Sequence, residues 1–172
     1  MKLYIVRHGQ TEANVQHLFN GRNERDLTEF GIEQAKLLAY KMEGVPIDLL
    51  FCSPLKRAIH TANILNINNV EIITDDRLIE RDYGIFTLKS VDLIKDRRNK
   101  LYDFDNNEIK EIESYKSIYD RAKSFIDEIK EKHADKNILV VTHGDVVVAI
   151  QEYINKKEET YPKTCELMEY NI

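Results

Sequence analysis

The sequence predicts an α/β fold, a three-layer α/β/α sandwich around a mostly parallel central sheet. Two observations carry that expectation. Short apolar runs alternate along the chain with stretches whose apolar residues recur at helical spacing, as in successive strand and helix units. Two of the runs also end alike: Leu3-Tyr4-Ile5-Val6 is followed by Arg7-His8-Gly9, and Val140-Val141-Thr142 by His143-Gly144. In open α/β sheets ligands bind beyond the carboxyl ends of the strands, so these junctions bring two imidazoles to one sheet edge. With 172 residues, 42% hydrophobic and 32% charged, the chain suits one domain over 1–172 with a substantial core.

Lys2 to Val6 reads as a buried strand, and Glu12 to Leu18 as a short helix leading into the loop Phe19 to Asn23. Thr28 caps a helix in which Phe30, Ile32, Ala35, Leu38, Ala39 and Met42 recur at helical spacing, until Gly44 and Pro46 stop it. Ile47 to Cys52 is the second strand. Ser53 is then an N-cap with Pro54 in the first turn, and Leu55, Ala58, Ile59, Ala62 and Leu65 form the apolar face of the helix. Val70 to Thr74 is a third strand, and 75–88 is irregular. Val91 to Tyr102 reads as a weaker, highly charged helix, and Asp103 to Glu113 as a polar, mobile loop. Ser114 caps a helix with Ile118, Ala122, Phe125, Ile126 and Ile129 on one face. Asn137 to Thr142 is the fourth strand, Asp145 to Tyr153 a buried helix, and Cys165 to Tyr170 a last strand at the sheet edge.

A net charge of −5 argues against general nucleic-acid binding, which depends on surplus Lys and Arg, while leaving room for a small cationic pocket. Cys52 and Cys165 are too few and too distant for a disulfide framework or a zinc knuckle and read as reduced, buried thiols. The four apolar residues between Lys2 and Arg7 do not make a signal peptide, and no stretch approaches the ~20 apolar residues of a membrane span, so a cytoplasmic location is expected.

The expected strand ends carry the chemistry. The first delivers Arg7 and His8, the second Arg57 in the turn after Ser53, the segment after the third Glu80, and the fourth His143. Two guanidinium groups can hold a phosphoryl group through charge-assisted hydrogen bonds. A neutral imidazole can attack phosphorus, and a carboxylic acid can protonate the departing alcohol. Helix N-termini after Gly9, Ser53 and Gly144 would add backbone donors. Fixed cations would meet the charge of the transferring group, so neither a metal nor a cofactor is expected. Glu80-Arg81-Asp82 could equally be a surface salt bridge, with Asp82 as a second candidate carboxylate. Lys95 to Lys100 reads as a solvated helix face, though it could attract an anionic tail. His17, His60 and His133 have no matching context, although His60 could line the pocket.

Arg7-His8-Gly9-Gln10-Thr11-Glu12-Ala13-Asn14 resembles the signature of the histidine phosphatase superfamily, the phosphoglycerate-mutase-like proteins. The likeness continues through Leu27-Thr28, Gly31 and Gln34-Ala35; through Ser53 to Ala58 and Thr61-Ala62; through Arg77 to Glu80 and Gly84; and through Val141 to Gly144. It implies that fold, with His8 as the nucleophile that becomes phosphohistidine and Glu80 as general acid and base. Arg7, Arg57 and His143 would surround the phosphoryl group. Asn14 would donate to it, with Gly144 beside it, and the Asn20-Gly21 region would close over the substrate. The chain departs from the family pattern at Thr87-Leu88-Lys89, where a second glycine is missing, and at Ile112-Glu113-Ser114, which often reads Gly-Glu-Ser.

The expectation is therefore a metal-independent phosphomonoesterase acting on a small-molecule phosphate ester, a histidine acid-type phosphatase without nucleic-acid or membrane partners. The alternatives are a phosphoglycerate mutase using the same chemistry and a non-catalytic phospho-ligand binder. A binuclear metallohydrolase using His8, His143 and Asp145 is a fourth reading. Hydrolysis is favoured over mutase activity because no long insertion follows Glu80 to build a deep lid.

Overall fold

Five strands form one sheet: β1 (Lys2–Arg7), β2 (Leu49–Cys52), β3 (Ile72–Thr74), β4 (Asn137–Thr142) and β5 (Leu167–Asn171). This is a computed structural model that describes residues 1–104, 109–155 and 160–172. The strand order is β3-β2-β4-β1-β5. The first four strands run parallel, and β5 pairs antiparallel with β1 at the edge. The helices are α1 (Glu12–Val15), α2 (Glu29–Lys41), α3 (Lys56–Leu65), α4 (Arg97–Leu101), α5 (Tyr115–Lys132) and α6 (Gly144–Asn155).

The three layers follow from the alternation of side chains along each strand. Leu3 and Ile5 of β1 join Ile138 and Val140 of β4 in one core, with Ile118, Ala122, Phe125 and Ile126 of α5 and most of α6. Tyr4, Val6, Leu139 and Val141 face the other way, onto Leu38 and Ala39 of α2 and Ala58 and Ala62 of α3. Both faces of the central strands are covered, as a parallel sheet requires. Complete burial of each such Leu, Ile or Val contributes about 1.5–3 kcal/mol.

The register sets up the edge where the strands end. Val6 lies opposite Val141 and Arg7 opposite Thr142, and the His8 amide donates to the Thr142 carbonyl at 2.9 Å. Cys52 pairs with Val141 on the other side of β4, and the Ser53 amide donates to the Val141 carbonyl at 3.0 Å. His8, Ser53 and His143 therefore leave three adjacent strands at one level. The Thr142 hydroxyl donates to the Leu78 carbonyl at 2.7 Å, drawing the short 3-10 turn Asp76–Leu78 over the same edge and Glu80 with it.

Several elements differ from expectation. α1 stops at Val15, because His17 takes a left-handed φ of 53° and Leu18 bridges to Ser90. Thr28 caps α2 as expected, accepting from the Gly31 amide at 3.0 Å, but Phe30 turns outward and is 60% exposed. β2 and β3 are shorter than expected. Ser53 is not the cap of α3: Leu55 holds that position, and the Ser53 hydroxyl accepts from the Leu55 amide while reaching His143. The region 91–102 is a 3-10 turn at Val91–Leu93 followed by the five-residue α4, separated at Asp96, which has a φ of 54°.

Part of the expected mobile loop, 105–108, lies outside the described residues. Its far end is anchored, with Ile112 buried and Glu113 ion-paired to Arg121 and to Arg22, each at 3.1 Å. The missing glycine before Glu113 has left the junction intact, since Ser114 still caps α5. Cys52 is buried, whereas Cys165 is only half-buried; both are free thiols. Among the described residues no helix is long and apolar enough to cross a membrane.

Candidate active site

His8 and His143 meet at the edge of the sheet, their ring centroids 5.1 Å apart, and neither has exposed surface. The His8 Nδ1 atom lies 2.7 Å from the Gly9 carbonyl, which can only accept, so Nδ1 carries the proton. Nε2 is left with its lone pair, and Arg57 Nε donates to it at 3.2 Å. Burial, then Arg57 and Arg7, hold the His8 imidazole well below the usual histidine range. His143 is held low by burial, with Arg57 next. Both rings are therefore neutral at pH 7. His143 Nε2 sits 2.7 Å from the Ser53 hydroxyl, while its Nδ1 is buried without a partner.

Arg57 is fully buried in the first turn of α3, and burial lowers its pKa to about 10, so it stays charged. It also donates to the Gly21 carbonyl at 2.7 Å and the Asn23 carbonyl at 2.8 Å, tying the loop after Asn20 to the site. Gly21 has a φ of +57°, and a Cβ there would lie 2.7 Å from Thr87 Oγ1. The segment that departs from the family pattern thus forms the seat of this loop. Asn20 is buried, but its amide donates to Thr11 Oγ1 and its Oδ1 accepts from Asn23, which makes it a brace of the loop. Asn14 Oδ1 accepts from the Thr11 amide at 2.9 Å, leaving its Nδ2 for the cavity that the residue lines.

Arg7 extends from β1 and donates to the Pro162 carbonyl at 2.8 Å; its guanidinium lies 5.0 Å from the centre of the Tyr161 ring. Its Nε is buried and unpartnered. Tyr161 also rests on Gly144, where a Cβ would fall 2.0 Å from its hydroxyl, so a larger residue at the start of α6 would push the Tyr161 ring aside. Glu80 is 3% exposed, with Oε1 accepting from the Arg81 amide at 2.9 Å. Burial, and next the Asp145 carboxylate, push its pKa up to about 7, against the pull of Arg57 and Arg7.

A cavity of about 1190 Å³ opens against this cluster, lined by Arg7, Asn14, Asn20 and Glu80 together with Tyr83, Tyr102 and Tyr161. His8, Arg57 and His143 lie buried behind its wall, so the structure brings all the expected phosphoryl-handling residues together but exposes only some of them. His17, Lys95, Arg97 and Arg98 also face the cavity, so the charged run is not simply a solvated face. His60 instead pairs with Asp26 at 2.7 Å, and the His133 ring lies tilted beside Phe51, the centroids 6.1 Å apart.

Glu80-Arg81-Asp82 is no surface salt bridge, because Glu80 and Arg81 are buried. Asp82 is exposed, accepts from the Gly84 amide and does not line the cavity, which removes it as an alternative to Glu80. The backbone donors expected after Gly9 are spent within the fold, the Gln10 amide on Gln34 Oε1 at 3.1 Å and the Thr11 amide on Asn14 Oδ1 at 2.9 Å. Asp145 is bound by Arg81, Tyr83 and Tyr102 instead of joining the two histidines. Sequence reasoning missed the roles of Tyr161, Arg22 and Ser53 here. Ser53 could have been found from its place at a strand end, whereas Tyr161 carries no local signal.

A mostly parallel sheet whose strand ends gather two neutral histidines, two arginines and a buried carboxyl with a raised pKa forms a site suited to an anionic phosphoryl group. The chain belongs to the histidine phosphatase superfamily (branch 1), whose model matches residues 3–170. That places it with the phosphatases; the acid-type label names a different family. It is 35% identical over 149 residues to phosphoserine phosphatase 1 of Hydrogenobacter thermophilus, covering 83% of this chain and 71% of the relative. It is 33% identical to the adenosylcobalamin/alpha-ribazole phosphatase of Escherichia coli, over 86% of this chain and 75% of that one. The alpha-ribazole phosphatase structure from Shigella flexneri superposes with a TM-score of 0.77 at 30% identity, covering 90% and 80% of the two chains.

Proposed function

We propose that this protein is a metal-independent phosphomonoesterase that hydrolyses a small phosphorylated metabolite through a phosphohistidine on His8. The observation that carries the reading is a His8 Nε2 lone pair fixed by the Nδ1–Gly9 contact with Arg57 beside it, together with two buried nitrogens of the same cluster, Arg7 Nε and His143 Nδ1, that have no protein partner. Unpaired buried donors are costly, and a phosphoryl group would satisfy both. If the Ser53 hydroxyl donates to His143 Nε2, the Nδ1–H is free to point at a phosphoryl oxygen.

In the first step the Nε2 lone pair forms a bond to phosphorus as the ester P–O bond breaks, and Glu80 gives its proton to the departing alkoxide. In the second, water attacks the phosphohistidine, and the Glu80 carboxylate takes the water's proton. Inorganic phosphate leaves and both side chains are restored. Arg7, Arg57 and Asn14 hold the phosphoryl oxygens, and the helix N-terminus at Gly144 faces the same side.

Hydrolysis is preferred to mutase chemistry because the described residues between Glu80 and α5 form short turns and the five-residue α4. A panel of small phosphomonoesters, assayed for inorganic phosphate, tests the proposal. Release by the wild type and a loss of about 10³-fold or more in His8→Ala are expected. Interconversion of phosphoglycerates without phosphate release would favour the mutase, and no turnover on any ester would overturn the enzymatic reading.

A further inference from the structure

Asp145 has no exposed surface and does not line the cavity, yet it sits two residues after His143 in the first turn of α6. Its two oxygens are fully engaged. Oδ2 is ion-paired with Arg81 Nε at 3.0 Å and accepts from the Tyr83 hydroxyl at 2.6 Å, and Oδ1 accepts from the Tyr102 hydroxyl. Arg81 is equally buried: it donates to the Leu101 carbonyl at 2.8 Å, with its guanidinium 5.2–5.9 Å from the centres of the Tyr83, Tyr102 and Tyr115 rings. The Arg81 backbone amide donates to Glu80. A buried ion pair therefore anchors the very peptide on which the Glu80 carboxyl rests.

We propose that Asp145 is a positioning residue for Glu80, supplying the fixed negative charge that offsets Arg7 and Arg57 and orients the carboxyl as a proton donor. The inference rests on the acid role of Glu80 given above. The charged and titratable groups around Glu80 are Arg7 from β1, Arg57 from α3, Asp145 from α6, Tyr161, Arg22 from the loop after Asn20, which donates to the Glu80 carbonyl at 3.1 Å, and Arg81 and Tyr83 of its own segment. Two guanidinium groups beside a carboxyl favour its ionised form, which cannot donate a proton. Burial and Asp145 act in the opposite sense. Tyr83 and Tyr102 stay protonated and keep donating to Asp145, since burial raises both well above the usual tyrosine range.

The test compares kcat/KM against pH for glycerol 2-phosphate, whose alkoxide needs a proton, and 4-nitrophenyl phosphate, which needs little. Removal of the Asp145 charge lowers the Glu80 pKa, so less of the acid is protonated at a given pH. In Asp145→Asn the basic limb on the alkyl ester is expected to move down by about one pH unit, with a much smaller loss on the aryl ester. KM should change little, because Asp145 does not touch the cavity. An unmoved limb overturns the inference.

Because Asp145→Asn leaves Arg81 unpaired in the core, the double variant Arg81→Gln/Asp145→Asn removes both charges together, with a smaller shift in the same direction expected. The control is Glu80→Gln. Selective loss on the alkyl ester there, with the limb unmoved in the Asp145 variants, overturns this inference alone. Equal losses on both esters overturn the acid role of Glu80, and this inference with it.

Discussion

Burial and the nearby Asp145 make a charge on Glu80 costly even with two arginines beside it. Its pKa rises from 4.5 to about 7 on folding. The folded state therefore binds more protons than the unfolded state between those values. The contribution of Glu80 to stability is fully present below 4.5 and is lost as pH rises through 7. Glu80→Gln removes that titration, so its stability relative to wild type should climb over this window by about 3 kcal/mol. Urea denaturation at pH 5 and pH 8 checks this, and an unchanged difference would place Glu80 in an ordinary environment.

The placement of His8, Arg57, Glu80 and His143 at one sheet edge was legible in the sequence because each follows a strand or the turn after one. Their protonation was not, since it depends on burial and on Asp145, a residue 65 positions from Glu80 in the chain.

At the scale of elements, the loop 20–23 is held by Arg57 through the Gly21 and Asn23 carbonyls and by Arg22, which donates to the Glu80 carbonyl and pairs with Glu113. Gly21→Ala places a Cβ against Thr87 at a φ of +57°. The expected cost is about 2 kcal/mol of stability, with weaker phosphate affinity because a shifted loop carries the carbonyls that hold Arg57 with it. Denaturation curves and phosphate titration measure both, and a fully stable variant would show that the loop adapts freely.

Strands and long helices were readable because period-2 and period-3.6 patterns are local: β4 matches the expected Asn137 to Thr142 at both ends. The region 91–102 was misread because its charged residues suit a helix, while left-handed Asp96 breaks it and the apolar Val91, Ile94 and Leu101 turn toward Phe19 and Tyr83. Only tertiary packing decides such a segment. The same is true of Ser53, whose local context signals a helix cap but whose hydroxyl serves His143 from across β4.

At the scale of the molecule, the sheet order β3-β2-β4-β1-β5 puts the ends of β1, β2 and β4 side by side, so residues from Arg7 to Pro162 reach one site. The scaffold is that of the family, and around the strand ends the chain builds the Asp145 cage and seats Gly21 on Thr87. The central claim is a covalent phosphohistidine formed without a metal ion. Its most direct test is a brief reaction with phenyl phosphate in excess chelator, followed by acid-free mass analysis of the intact chain. One phosphoryl group on His8, absent in His8→Ala, is the predicted result. Turnover without an adduct, or turnover abolished by the chelator, would contradict it.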